Sequence, residues 1–292
     1  MPTESNSYAA LTALFSSATY RDLATELPSF AIGRIAAAIS GGHIAELSTL
    51  KNFLDTGYAV LSKHYRNEYV FKNTIVSKLI FGRHKPTTAS AFLEFPAGDS
   101  FADVLVLNGS STAYEIKTDL DSFSRLSTQV RDYQTRFEFV NLVVSVRRAP
   151  SALRRLPKGV GLIAVHNNGR MQALVKATSN QHMLSAEHIF RSLRQREVQT
   201  ILARLDKLPN SADPVEQWHA QKRAFISLNP TEAHASMVPV LRRRGQKTGE
   251  IASRDEFPPS ALALAYGTRL TGKGQARILH RLALPLPLVL GP

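Results

Sequence analysis

The alternation of apolar and polar positions divides the chain into three zones. Residues 1–64 are rich in Ala and Leu and contain helical patches such as "FAIGRIAAAI", which Gly41-Gly42 is expected to end. Residues 65–175 hold nearly all the strand-like runs: "AFLEF", "FADVLVL", "TAYEIK", "FVNLVVSV", "VGLIAV" and "MQALVKA". From 176 to 292 the spacing turns helical again and the composition more basic. Pro-rich patches near 257–259 and 285–287 predict loosely ordered stretches. No internal repeat is visible.

Within the central zone, Asn108-Gly109 stands between two strand-like runs, a strong hairpin signal. A loop of Asn108 to Ser111 pairs Leu107 with Thr112 and sets Asp103 opposite Ile116; a two-residue loop moves its partner to Tyr114. In both cases Asp103 and Glu115 come within side-chain reach across an antiparallel ladder. Alternation along "TAYEIK" turns Glu115 and Lys117 to one face and Tyr114 and Ile116 to the other. Carboxylates converging on one patch of a sheet are costly unless something positive sits between them. A divalent cation meets that need, and hard oxygen donors suit Mg²⁺. The competing reading is a solvated hairpin face with a surface ion pair, which contributes little. Glu94, in "FLEFP", fits a place beside Asp103 or the outer face equally well.

The run "DSFSRLSTQVRDYQTRF" repeats apolar residues at Phe123, Leu126, Val130, Tyr133 and Phe137, which predicts an amphipathic helix capped by Asp121 or Ser122. Gln129 falls about 40° from Tyr133 on the helical wheel, so both point toward the sheet. The apolar "FVNLVVSV" that follows predicts a central strand reached by a crossover, hence parallel to the preceding strand. Upstream, "YRNEYVFKNTIVSKLIFG" predicts a helix with Tyr65, Tyr69, Val76, Leu79 and Ile80 on one arc. Glu68 is then at the margin of the buried side, with an ion pair to Lys72 at i+4 as the plainer alternative. Arg125 follows Asp121 at i+4, as a helix pair or as a phosphate contact.

Charge narrows the partners. With 36 Lys+Arg against 23 Asp+Glu the formal net charge is +13 and the pI about 10.1, which favours a polyanion such as nucleic acid, although a membrane surface or solubility alone also fits. The chain has no Cys, which excludes disulfides, thiolate zinc sites and thiol nucleophiles and suits a reducing cytoplasm. The start "MPTESNSYAALTALFSS" lacks the features of a signal peptide, and "LALPLPLVLGP" is too short and too Pro-broken for a membrane span; a soluble, cytoplasmic protein is expected. "GTRLTGK" has Gly274 where a phosphate-binding loop needs Ser or Thr, and His182 and His188 are wrongly spaced for a zinc site. Arg242-Arg243-Arg244 with Lys247 fits phosphate contacts or a solvated loop.

"FADVLVLNGSSTAYEIK" resembles the signature of the PD-(D/E)XK nuclease superfamily, with Asp103 as the first acid and Glu115-Ile116-Lys117 as the E-X-K element. "QVRDY", Gln129 to Tyr133, is similar to the Q-x-x-x-Y motif of its RecB-like branch, and Glu68 matches the acid carried on the helix before the sheet. "NEYVFKN", "LEFPAGDSFADVLVLNG", "YEIKTDLDSFSRL" and "QVRDYQTRF" further resemble a family of uncharacterised bacterial proteins within that superfamily, over about residues 65–145. Ala102 replaces the proline of "PD". The resemblance implies an α/β fold: a restriction-endonuclease-like core over 65–175, with a central mixed sheet flanked by helices, between a helical region at 1–64 and a basic, mainly helical one at 176–292. It implies that Asp103, Glu115, the carbonyl of Ile116 and Glu68 hold Mg²⁺ or Mn²⁺. Lys117 would orient or deprotonate a water, and Gln129 and Tyr133 would position the active strand or substrate. The implied activity is hydrolysis of phosphodiesters, DNA favoured, in bacterial genome maintenance or defence against phage and mobile elements. The alternatives are a nucleic-acid-binding protein without turnover and a nuclease active only with a protein partner.

Overall fold

In the computed structural model, which describes residues 4–40 and 49–290, the chain forms two compact units, Met1–Pro86 with Thr248–Pro292, and Thr87–Lys247. These differ from the three successive zones read along the chain. Contacts between residues nearly 200 apart gather both ends of the chain into one unit, and linear patterning cannot register such contacts.

The first unit is helical. It begins with α1 (Glu4–Leu14), α2 (Ser17–Leu23), α3 (Phe30–Ser40), α4 (Leu50–His64) and α5 (Glu68–Ile75), and α5 runs on into a π-helical stretch, Val76–Arg83. The Gly41-Gly42 stop lies outside the described residues. The helix expected from Tyr65 starts three residues later because the Asn67 side chain accepts from Val70 N and caps it there. Its buried face is therefore Val70, Phe71, Asn73, Thr74 and Ile75, with Val76 and Ile80 continuing it, whereas Tyr65 is exposed and stacks on Tyr8.

In the second unit all six strand-like runs form strands: β1 (Ser90–Ala97), β2 (Ser100–Leu107), β3 (Ser111–Lys117), β4 (Phe139–Ser145), β5 (Gly161–Val165) and β6 (Met171–Val175). They make one mixed sheet in the order β1-β2-β3-β4-β5-β6. β3, β4 and β5 run parallel, and the pairs β1–β2, β2–β3 and β5–β6 antiparallel. The predicted parallel crossover is thus present, carried by α6 (Leu126–Gln134). Helices α7 (Ala149–Leu153), α8 (Ala186–Ser192), α9 (Gln195–Arg204), α10 (Pro214–Ile226) and α11 (Pro230–Ala252) complete the unit, whose boundary falls inside α11. One continuous core joins Leu105, Ala113, Leu142 and Leu162 of the sheet to Tyr133 and Phe137, Ile189, Leu202, Phe225 and Met237 of the helical side.

The chain returns to the first unit through α12 (Leu262–Gly267), α13 (Gly272–Ala283) and α14 (Leu286–Leu290). The Pro-rich patches are folded here, contrary to the expected looseness. Phe257, Ser260 and Ala261 are buried, and Asn73 ties α5 to them by donating to Pro259 O (2.9 Å) and accepting from Ala263 N (2.9 Å). Leu286 and Val289 are buried as well, and Ser29 N donates to Val289 O. Arg242 and Arg244 are held by partners within the second unit. Arg242 donates to Thr88 O, and Arg244 pairs with Glu197 at 3.1 Å and lies over the Phe92 ring.

Two features of the second unit have measurable consequences. His234 on α11 is buried, 2.7 Å from Ser111 Oγ, and burial holds its pKa below the ordinary 6.5, only partly opposed by Glu138. The unfolded chain therefore takes up this proton first as pH falls, so stability should drop from about pH 6.5 downward until the lower native value is passed. His234→Gln should flatten that part of a chemical-denaturation series between pH 7 and pH 5. Gly98, in the β1–β2 turn, has φ +74°, and an added Cβ would be 3.0 Å from both Arg136 Nη2 and Asp132 Oδ1. Gly98→Ala should cost about 1–3 kcal/mol in denaturant melts, because both the backbone conformation and the space favour Gly.

Candidate metal centre

The β2–β3 connection is a three-residue loop, Asn108 to Ser110, with Gly109 at φ +103° and Asn108 N donating to Ser110 O. Leu107 accordingly pairs with Ser111, one step from each of the two registers left open by the sequence. One further step beyond Val104–Tyr114 sets Asp103 level with Glu115. On the other side, Glu94 falls between the pairs Leu93–Val104 and Phe95–Ala102, which sets it level with Asp103. Opposite residues of an antiparallel ladder share a face. Three carboxylates thus stand in a row across β1, β2 and β3.

Glu115 and Lys117 share the face of Ala113, the side covered by α6. They are not a solvated surface pair: Glu115 is 2% and Lys117 6% exposed. Lys117 Nζ donates to Glu115 Oε1 (2.7 Å) and to Gln129 Oε1 (3.0 Å). The Tyr133 hydroxyl is 2.7 Å from Glu115 Oε2 and 2.7 Å from the Phe101 carbonyl, and its one proton can serve only one of them at a time. Burial, and then the Glu115 charge, push the Tyr133 phenol well above its ordinary 10, so it stays a donor. Asp103 Oδ2 accepts from Ile116 N at 2.6 Å, which turns that peptide edge toward β2. Gln129 and Tyr133 thus both point toward the sheet, as the helical wheel predicts, and reach Lys117 and Glu115 of β3.

Glu94 is exposed, has φ +50° and brings a carboxylate oxygen within 4.8 Å of one from Asp103. Such a backbone angle is uncommon for a non-Gly residue and re-aims the strand: Phe92 precedes it and Phe95 follows it on the same core. An open cleft of about 390 Å³ lies over the Glu94 and Asp103 end of the row, lined by these two with Asp99, Ser100, Phe101, Arg125, Thr128 and Gln129. Among the described residues that line it, Arg125 is the one cation.

Neither Asp121 nor Ser122 caps α6. Asp121 accepts from Thr118 N (2.7 Å) and Oγ1 (2.6 Å), Ser122 Oγ accepts from Ser124 N, and the helix begins only at Leu126. Asp121 and Arg125 hence share no helical turn, and Arg125 is left on the cleft wall. Glu68 belongs to the first unit, where it opens α5, is exposed and pairs with Lys72. The supports of the site had no motif to announce them. Arg148 donates to the carbonyls of Thr118, Asp119 and Asp121 and lies 4.6 Å from the Phe123 ring centroid, fixing the loop before α6. Ser100 Oγ donates to Asp132 at 2.6 Å, fixing the β1–β2 turn against α6.

The donor chemistry fits a divalent hard cation, because Asp103, Glu115 and Glu94 offer carboxylate oxygens, the hard donors such an ion takes. The second unit is thus an α/β unit, a six-stranded mixed sheet flanked by helices, with a carboxylate–lysine cluster at the end of its first parallel strand. The chain belongs to the family of bacteriophage P4 protein cII, whose model matches residues 62–253. Protein cII of Enterobacteria phage P4 is 34% identical over 67 residues, 23% of this chain and 25% of that protein, so the match spans about a quarter of the relative's length. No solved structure matches the chain. Among the described residues no helix is long and apolar enough to cross a membrane.

Proposed function

We propose that the chain is a metal-dependent nuclease that hydrolyses phosphodiester bonds, with DNA as the favoured substrate and a restriction-endonuclease-like core in its second unit. The observation that carries this reading is the buried Glu115–Lys117 pair, held by Gln129 and Tyr133 and level on the sheet with Asp103, which itself lines an open cleft. A binding module gains nothing from carboxylates in a row, because they repel phosphate.

Asp103, Glu115, the Ile116 carbonyl and Glu94 would hold Mg²⁺ or Mn²⁺. Such an ion supplies Lewis acidity, offsetting phosphate charge and making water a better nucleophile. Lys117 keeps an ammonium at the carboxylates, where it can orient water or offset charge developing on the phosphate. Gln129 orients that ammonium, Tyr133 fixes the Glu115 carboxylate through its second oxygen, and Arg125 offers the cleft a phosphate contact. The resemblance gives Glu68 a further part in holding the cation.

The test is incubation of the purified chain with linear, circular and single-stranded DNA in Mg²⁺, Mn²⁺ or EDTA. Cleavage that requires the cation is expected. Salt-sensitive binding that EDTA leaves unchanged, with no cleavage in either cation, would favour the binding protein. Cleavage that appears only after a protein partner is co-purified would favour the complex.

A further inference from the structure

We infer that a pocket between α8, α9 and α10 receives one unstacked nucleobase of a single-stranded nucleic acid. The pocket has a volume of about 210 Å³, and its walls include Phe190, Arg191, Val198, Trp218 and Gln221. That is below the roughly 300–1,000 Å³ of sites for drug-sized ligands and suits a single ring system. Its aromatic wall is Phe190 and Trp218, edge to face with centroids 6.2 Å apart, and Trp218 is 39% exposed.

Gln221 supplies the second, independent observation. It is 2% exposed, and its Oε1 is buried with no hydrogen-bond partner among the described residues. A buried acceptor without a donor is rare and unfavourable, and each such group calls for an explanation. Rotation of the Gln221 amide toward the pocket would let an N–H donor on the edge of a flat ring satisfy it, and every nucleobase carries one. Charge selects the rest of the occupant. Lys222 Nζ is 5.6 Å from the Trp218 centroid and makes no ion pair among the described residues, and Arg191, which pairs with Glu187, stands on the wall. With a net charge of +13 on the chain, these cations suit the phosphates flanking a base stacked on an aromatic ring.

The pocket is separate from the carboxylate cluster, so it can be tested in EDTA whether or not the chain cuts DNA. Trp218 is the single Trp of the sequence, and its emission reports on this pocket alone. The full-length chain is titrated with a short single-stranded oligodeoxynucleotide and with an abasic strand of equal length, affinity being read by anisotropy of a 5′-labelled strand. The base-bearing strand should quench Trp218 saturably, and the abasic strand should bind roughly tenfold more weakly. Gln221→Leu should weaken the base-bearing strand roughly tenfold without lowering the melting temperature, since removing an unpartnered buried acceptor does not destabilise. Lys222→Ala, a surface change, should reduce affinity and flatten its salt dependence. No binding of single strands, equal affinity for the two strands, unchanged Trp218 emission at saturation, or quenching by an aromatic peptide but not by the oligonucleotide would each overturn the inference.

Discussion

Asp103→Asn is expected to reduce Mg²⁺-dependent DNA cleavage by roughly 10³-fold, equivalent to about 4 kcal/mol of transition-state stabilisation, with DNA binding retained. The substitution keeps the acceptor that Ile116 N uses at 2.6 Å, so the β2–β3 register should survive while the charge is lost. Binding should hold or tighten because one charge that repels phosphate is gone. Gel-based cleavage and anisotropy on the same preparation separate the two effects. Equal loss of binding and cleavage would show that Asp103 acts in affinity or folding instead. The same pair of assays on Glu94→Gln places that residue: a selective loss of cleavage assigns it to the cation shell, and full activity removes it.

The second large effect is on stability. Lys117→Met leaves the Glu115 carboxylate buried beside the Tyr133 hydroxyl without its ammonium partner, which should cost about 3–5 kcal/mol. Glu115→Leu combined with Lys117→Met removes both charges, and the Tyr133 hydroxyl keeps the Phe101 carbonyl as acceptor at 2.7 Å. The double variant should therefore recover most of that loss and can exceed the wild type, as replaced buried ion pairs often do. Denaturant unfolding of the two variants measures the difference. A double variant no more stable than Lys117→Met alone would mean that the pair is part of what holds the sheet to α6. Recovery of stability together with loss of cleavage would show that the charges are kept for chemistry.

Much of this architecture was legible in the sequence because the six strand runs are apolar, β-branched and bounded by turn residues, and all six are strands. The face shared by Glu115 and Lys117 followed from two-residue alternation alone, and burial then decided against a solvated pair. Register was harder to read. Asn108-Gly109 is compatible with loops of several lengths, and the observed three-residue loop satisfies Asn108 N through Ser110 O. The start of α6 misled because Asp and Ser can bond to the loop as readily as to a helix N-terminus, and Asp121 is taken by Thr118. Glu94 beside Asp103 depends on a backbone angle of φ +50° that no side-chain pattern announces. The joining of the chain's two ends into one unit rests on contacts such as Asn73 with Ala263, which leave no local trace in the sequence.

Binding of Mn²⁺, followed by electron paramagnetic resonance of the free ion, tests the central claim most directly because it asks about the site before any chemistry. The wild-type chain should take up Mn²⁺ saturably and release it to excess Mg²⁺, while Asp103→Asn should lose that uptake with its fold intact by circular dichroism. Equal Mn²⁺ uptake by the two proteins, or none by the wild type, would contradict a cation held between Asp103 and Glu115.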